Sequence, residues 1–278
     1  MIKIWIPLRI INFKMMNRID QKFKDLKLQN KKAFIPFLTA GYPNMSATQK
    51  IVLELEKNGA DIIELGVPFS DPIADGPVIQ ASSYEALKKG ASLKKILAMV
   101  AELRAKTQIP LCLMSYCNPI LHYGQERFVD DALKAGVDGV IIPDLCFEES
   151  FTFLKTAEKK GLHIILFVAP TTPIERARLI AKRSKGFVYF VSLTGVTGTR
   201  QSLPIDLKSK VSAVKKFSGK LPICAGFGVS KAQQVKYVAG FCDGVIVGSA
   251  IIKKISENMK DPHLAQIVGR FIKGLLQK

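Results

Sequence analysis

A closed barrel of eight parallel strands and eight helices, the (β/α)8 or TIM barrel, with an extra N-terminal helix, is the α/β fold that the sequence predicts. Three observations predict it. Eight apolar runs alternate with amphipathic stretches along the 278 residues, and one such barrel needs about 250. The runs are continuously apolar, as parallel strands covered on both faces require. The first run ends in Thr39-Ala40-Gly41-Tyr42-Pro43, without the G-x-G-x-x-G loop that an open dinucleotide-binding sheet would carry there.

The elements follow in order. A helical segment over 20–28 precedes the first strand, 33–39, and a helix over 47–58 leads to the second, 60–67. A helical pattern over 78–104 precedes the third strand, 110–114, and one over 125–135 the fourth, 136–142. Helices over 148–160, 174–184, 206–218 and 231–239 then alternate with strands over 162–169, 186–193, 221–225 and 242–247, and a last helix runs on from Ser249. Several helix-to-strand joints carry glycine, as at Ala135-Gly136-Val137, which suits a helix end in left-handed conformation. Residues 18–278 are read as one barrel domain. Residues 1–17 are read as an extension, disordered or upstream of a start at Met15 or Met16: the stretch is apolar and basic, Lys3 and Arg9 interrupt it, and it has no cleavage site.

Composition narrows the function classes. Lys and Arg total 41 against 23 Asp and Glu, a net charge of +18. The basic residues fall in scattered pairs such as Lys88-Lys89 and Lys215-Lys216 on predicted helices, so they read as solvated faces. Neither nucleic acid nor a membrane is expected as partner. Five cysteines without a C-x-x-C spacing read as reduced thiols of a cytoplasmic protein. The three histidines, His122, His163 and His263, lie far apart in sequence, so no metal site is expected.

Chemistry in such a barrel sits where strands end. There the chain reads ELGVPFSDPIADGP over 64–77. By the period of two, Ile62 and Glu64 share a face while Ile63 and Leu65 point the other way. If the latter pair packs on helices, Glu64 faces the barrel mouth, where burial should raise its pKa into the range of a general acid/base; the alternative is an idle glutamate at a frayed strand end. Asp71 and Asp75 follow in a loop stiffened by Pro68, Pro72 and Pro77. Asp71-Pro72 is a turn signal, which makes Asp75 the better catalytic candidate, although spacing alone does not decide between them. Three glycine-bearing loops, 195–200, 225–230 and 247–250, end the last three strands. The second and third run into helices whose N-termini can hold a phosphate.

With these residues the chain resembles the tryptophan synthase alpha chain family. ELGVPFSDPIADGP carries the resemblance, with IPFLTAGYP (35–43), Tyr116-Cys117-Asn118-Pro119, IIPDL (141–145) and SLTGVTGTR (192–200) in support, in order from about Arg18 onward. The resemblance implies a lyase that splits indole-3-glycerol phosphate by retro-aldol chemistry into indole and glyceraldehyde 3-phosphate. Glu64 would be the acid/base near indole C3, Asp75 would accept the indole N–H, and Tyr189 would orient the glutamate. Phe37 and Phe227 would line the indole pocket, and Tyr116 would contact substrate. Gly198, Gly228, Gly248 and Ser249 would cradle the phosphate, and Thr197 would belong to a lid. Asp144 matches a loop position near the mouth whose role stays open. The family further implies no cofactor in this chain, and a β-subunit partner in an α2β2 heterotetramer that carries pyridoxal phosphate. Cys146 stands where proline is frequent, and residues 1–17 are not a family feature. Competing readings are a free-standing indole-releasing lyase, another phosphate-binding barrel, and a basic binding protein without catalysis.

Overall fold

The computed structural model describes residues 16–191, 207–226 and 228–277. Eight parallel strands close into a barrel in sequence order: β1 (Ala33–Thr39), β2 (Ile63–Gly66), β3 (Leu111–Met114), β4 (Gly139–Ile141), β5 (His163–Val168), β6 (Val188–Val191), β7 (Ile223–Gly226) and β8 (Gly244–Val247). Closure comes from β1 on β8, with Ala33 opposite Gly244 and Pro36 opposite Val247. Among the described residues the helices are α1 (Arg18–Leu28), α2 (Met45–Lys57), α3 (Pro77–Lys88), α4 (Leu93–Arg104), α5 (Cys117–Tyr123) and α6 (Gln125–Ala135), followed by α7 (Phe151–Lys160), α8 (Ile174–Arg183), α9 (Leu207–Ser218), α10 (Ala232–Ala239), α11 (Ser249–Glu257) and α12 (Leu264–Leu276).

Each predicted strand overlaps an observed one, most being shorter by up to three residues at an end. Three helical expectations need correction. The stretch 78–104 is two helices, because Gly90 turns left-handed at φ 74° and Ser92 accepts from the Lys95 N–H to start α4 afresh. The segment from Ser249 is likewise two helices, parted at Asn258, with Pro262 before α12. The helix α5 stands where the sequence predicts none, between the third strand and residue 125. Its Pro119 lies in the first turn, where a missing N–H costs nothing.

Two apolar layers follow from strand alternation. Ile35, Ile62, Cys112, Ile141, Ile165, Cys224 and Ile246 fill the lumen. Ile63, Leu65, Leu113 and Val140 join the sheath between strands and helices. The extra helix α1 plugs the strand-start end of the lumen through Ile19 and Leu26, both buried. Glycine makes room for it: a Cβ on Gly139 would stand 2.9 Å from Ile19 Cδ1. Asn17 belongs to this plug, since its side chain accepts from Ile19 N and donates to Asp138 O.

The strand starts are tied by three carboxylates. Asp61 accepts from Phe34 N, Asp138 from Leu111 N and Asp243 from Ile223 N, each at 2.8–3.0 Å. Asp138 also binds Arg104 at 2.7 Å and Arg18 at 2.8 Å, so α1, α4, β3 and β4 share one ionic knot.

Candidate active site

Glu64 lies in β2 between Phe37 of β1 and Cys112 of β3, with which it is in register. Because Ile62 fills the lumen and Ile63 the sheath, the two-residue period carries Glu64 to the inner face above the plug. It is fully buried. Burial lifts its pKa to about 8, and the Asp75 charge adds to the rise.

Asp75 sits in the loop between β2 and α3. Its backbone N–H donates to Pro72 O at 3.0 Å, and its own carbonyl accepts from Gln80 Nε2. The side chain is almost fully buried, and burial raises its pKa to about 6 against the lowering effect of a hydrogen bond from Tyr116. The same Tyr116 hydroxyl accepts from Ala74 N at 3.1 Å. One phenol therefore holds two consecutive residues of the loop. Its ring packs against Phe69, with centroids 5.3 Å apart, and burial pushes its own pKa up.

Among the described residues, the buried side-chain oxygens or nitrogens without a hydrogen-bond partner are three: both carboxylate oxygens of Glu64 and Oδ1 of Asp75. Buried polar atoms are nearly always satisfied. Here the exceptions gather in one place, on the two carboxylates singled out from the sequence.

Tyr189 of β6 completes the group. Burial raises its pKa, and so do the charges of Glu64 and Asp75, which places all three within electrostatic reach. The ring stacks tilted on Phe167 with centroids 4.7 Å apart. Glycine gives it space, for a Cβ on Gly226 would stand 3.0 Å from the hydroxyl. Phe37 closes the other side. Its ring covers Gly66, where a Cβ would stand 2.4 Å from Cζ.

Gly248 caps α11 and Ser249 is its first residue, buried at the end of β8. Gly228 follows β7 in left-handed conformation at φ 64°. These three flank the ends of two adjacent strands, beside backbone N–H groups that a helix start leaves free. Thr197, Gly198 and Phe227 lie outside the described residues. Asp71 is exposed and accepts from Ser70 Oγ at 2.5 Å, as a turn residue would. Asp144 accepts from Cys117 N at 2.9 Å and so anchors the start of α5.

Sequence reasoning missed Phe167 and Met114, which pack against the lumen cluster beside Tyr189. The period of two was the available signal: Phe167 lies two residues beyond lumen-filling Ile165, and Met114 two beyond Cys112. Among the described residues no group of His, Cys, Asp or Glu is arranged to hold a metal ion, and no helix is long and apolar enough to cross a membrane.

The family model for the tryptophan synthase alpha chain matches residues 23–271. The alpha chain of Geotalea uraniireducens is 47% identical over 260 residues, covering 94% of this chain and 97% of the relative. That of Thermoanaerobacter sp. is 45% identical over 260 residues, covering 94% and 98%. Among solved structures, the tryptophan synthase alpha subunit of Legionella pneumophila has a TM-score of 0.86 at 38% identity, covering 94% of this chain and 97% of that one. A Mycobacterium tuberculosis tryptophan synthase chain has a TM-score of 0.85 at 35% identity, covering 94% and 99%. A buried carboxylate pair at the mouth of a closed eight-stranded barrel, matched over nearly the whole length by these relatives, makes this chain a member of the tryptophan synthase alpha chain family, the enzyme subunit that serves tryptophan biosynthesis.

Proposed function

We propose that the chain is a lyase that cleaves indole-3-glycerol phosphate into indole and glyceraldehyde 3-phosphate, with Glu64 and Asp75 as its proton-handling pair. The observation that carries this reading is the set of unpartnered buried oxygens on those two side chains. Their environments also hold them in different states near neutral pH, Glu64 protonated and Asp75 ionised, given values of about 8 and about 6. Pairs set apart in this way serve as acid and base.

The step balances as follows. The Glu64 carboxyl gives its proton to indole C3, and the positive charge spreads to the ring nitrogen, whose N–H donates to the Asp75 carboxylate. Glu64, now ionised, takes the proton of the glycerol hydroxyl next to the ring. The carbon–carbon bond breaks, its electron pair returns to the ring, and an aldehyde remains on the phosphate-bearing fragment. A carboxylate preorganised beside developing positive charge in a dry site contributes on the order of 3 kcal/mol. Tyr189 positions Glu64, and Phe37, Tyr116 and Phe227 enclose the indole. Gly228, Gly248 and Ser249 hold the phosphate, and the family resemblance adds Gly198 to that role and gives Thr197 to a lid.

The chain itself uses no cofactor in this scheme. It works in the cytoplasm with a β subunit in an α2β2 assembly, and pyridoxal phosphate belongs to that partner. The test is indole release with and without a β subunit. Glu64→Gln and Asp75→Asn should each lower kcat about 1,000-fold while circular dichroism still reports a folded barrel, and the parent chain should accelerate when the partner is added. Near-normal turnover in either variant would overturn the chemistry, and a fast enzyme indifferent to the partner would favour a free-standing lyase.

A further inference from the structure

At the strand-start end of the barrel, opposite the carboxylate pair, lies a cavity of about 800 Å³ between α1 and the turn that enters β7. It is bordered by Gly186, Pro222 and Asp243, which precede β6, β7 and β8. We propose that this cavity is a second binding site, for a phosphorylated ligand with a flat apolar ring, of the nucleotide class. Its volume falls within the range of about 300–1,000 Å³ usual for small-ligand pockets.

The lining has two parts with different chemistry. Phe23, Leu26, Leu221 and Pro222 form an apolar floor, and the Phe23 ring is braced by Phe187 with centroids 5.9 Å apart. A flat ring can stack there. Six lysines surround the floor against two aspartates.

Both aspartates already have protein partners. Asp243 accepts from Ile223 N at 3.0 Å, from Lys215 at 3.0 Å and from Lys32 at 3.4 Å. Asp20 faces His163 at 2.8 Å. Lys24, Lys27, Lys31 and Lys220 make no ion pair among the described residues.

The plainer explanation for basic residues here is the negative end of a helix dipole. That accounts for Lys27 and Lys215, which lie in the last turns of α1 and α9. It reaches Lys31 and Lys220 from just past those ends but does not account for Lys24 in mid-helix. Of these four exposed ammonium groups around one concavity, Lys31 also feels the Asp61 carboxylate; like charges so placed repel one another, and a ligand of several negative charges relieves that repulsion. A phosphate chain at the rim and a base on the floor satisfy both halves of the lining.

The experiment is calorimetric titration of the full chain with ATP, tripolyphosphate and adenosine, free of divalent metal and at low salt, alongside thermal unfolding. ATP should bind, raise Tm and outbind both tripolyphosphate and adenosine. The double variant Lys27→Glu/Lys31→Glu should weaken ATP about tenfold, as loss of two exposed charge contacts to a polyvalent anion implies. Lys94→Glu/Lys106→Glu, on exposed lysines of α4 and just beyond it, makes the same change in net charge and should leave binding almost unaltered. Equal weakening by both variants would reduce the effect to diffuse charge and overturn the site. So would absence of ATP binding up to about 1 mM, some 4 kcal/mol of affinity. Tripolyphosphate binding as tightly as ATP would overturn the nucleotide class. Sedimentation with phosphatidylglycerol vesicles in place of ATP binding would overturn the small-ligand assignment.

Discussion

Two carboxylates set the pH behaviour of the site. Activity should rise as Asp75 ionises near pH 6 and fall as Glu64 loses its proton near pH 8, a bell-shaped kcat/KM profile. Because the Tyr116 hydrogen bond lowers the Asp75 pKa, Tyr116→Phe should move the acidic limb to higher pH and leave the basic limb in place. An unmoved acidic limb would separate Tyr116 from Asp75. Glu64 also bears on stability. Its folded pKa lies above the ordinary 4.5, so the folded state binds the proton more tightly than the unfolded chain. The stabilising contribution is complete below pH 4.5 and is lost as pH rises toward about 8, at up to about 1.4 kcal/mol per pH unit. Glu64→Gln should therefore lose less stability than the parent between pH 6 and 8, where Glu64 is the carboxylate still titrating. Urea unfolding at several pH values measures this, and parallel curves for the two proteins would contradict it.

Elements hold these side chains by close approach of backbone. β2 brings Glu64 and Gly66 to one face, and the tip of the Phe37 ring from β1 crosses Gly66. A methyl at Gly66 would stand 2.4 Å from that ring, so Gly66→Ala should push Phe37 off its seat. The expected cost is about 1–3 kcal/mol in unfolding free energy, with a raised KM if Phe37 lines the indole pocket as proposed. Unchanged stability and KM would mean the ring has another position open to it. The proline-bearing loop was legible as stiff from Pro68, Pro72 and Pro77. Its fixation by one phenol on Ala74 and Asp75 was not, because Tyr116 is 41 residues from Asp75 in the chain and only the β2–β3 neighbourhood brings them together.

At the scale of the whole molecule, α1 plugs the strand-start end of the barrel and the carboxylate pair lies toward the other. The knot that holds the plug is Asp138, 3% exposed, between Arg104 and Arg18. Asp138→Ala should cost about 3–5 kcal/mol, since it strands a largely buried guanidinium and frees the Leu111 N–H. Denaturant unfolding reads this directly, and a loss under about 1 kcal/mol, the scale of an exposed pair, would mean the knot is solvent-screened. Arg18→Ala should cost less, its side chain being 36% exposed.

From sequence alone came the eight strands, the lumen face of β2 and Glu64, because period-two burial and an acid inside an apolar run are local signals, whereas the choice of Asp75 over Asp71 rested on the family resemblance. The break at Gly90, the helix α5 and the division after Asn258 were not legible, since amphipathic periodicity continues across short interruptions. Tertiary structure alone decided how the candidates are combined. It made Glu64 and Asp75 the buried side chains with unpartnered oxygens among the described residues, joined Tyr116 to Asp75, and set Tyr189 within electrostatic reach of both. The reason is physical: desolvation and hydrogen bonding depend on which strands are neighbours in the closed barrel, and closure joins residues that no local window contains.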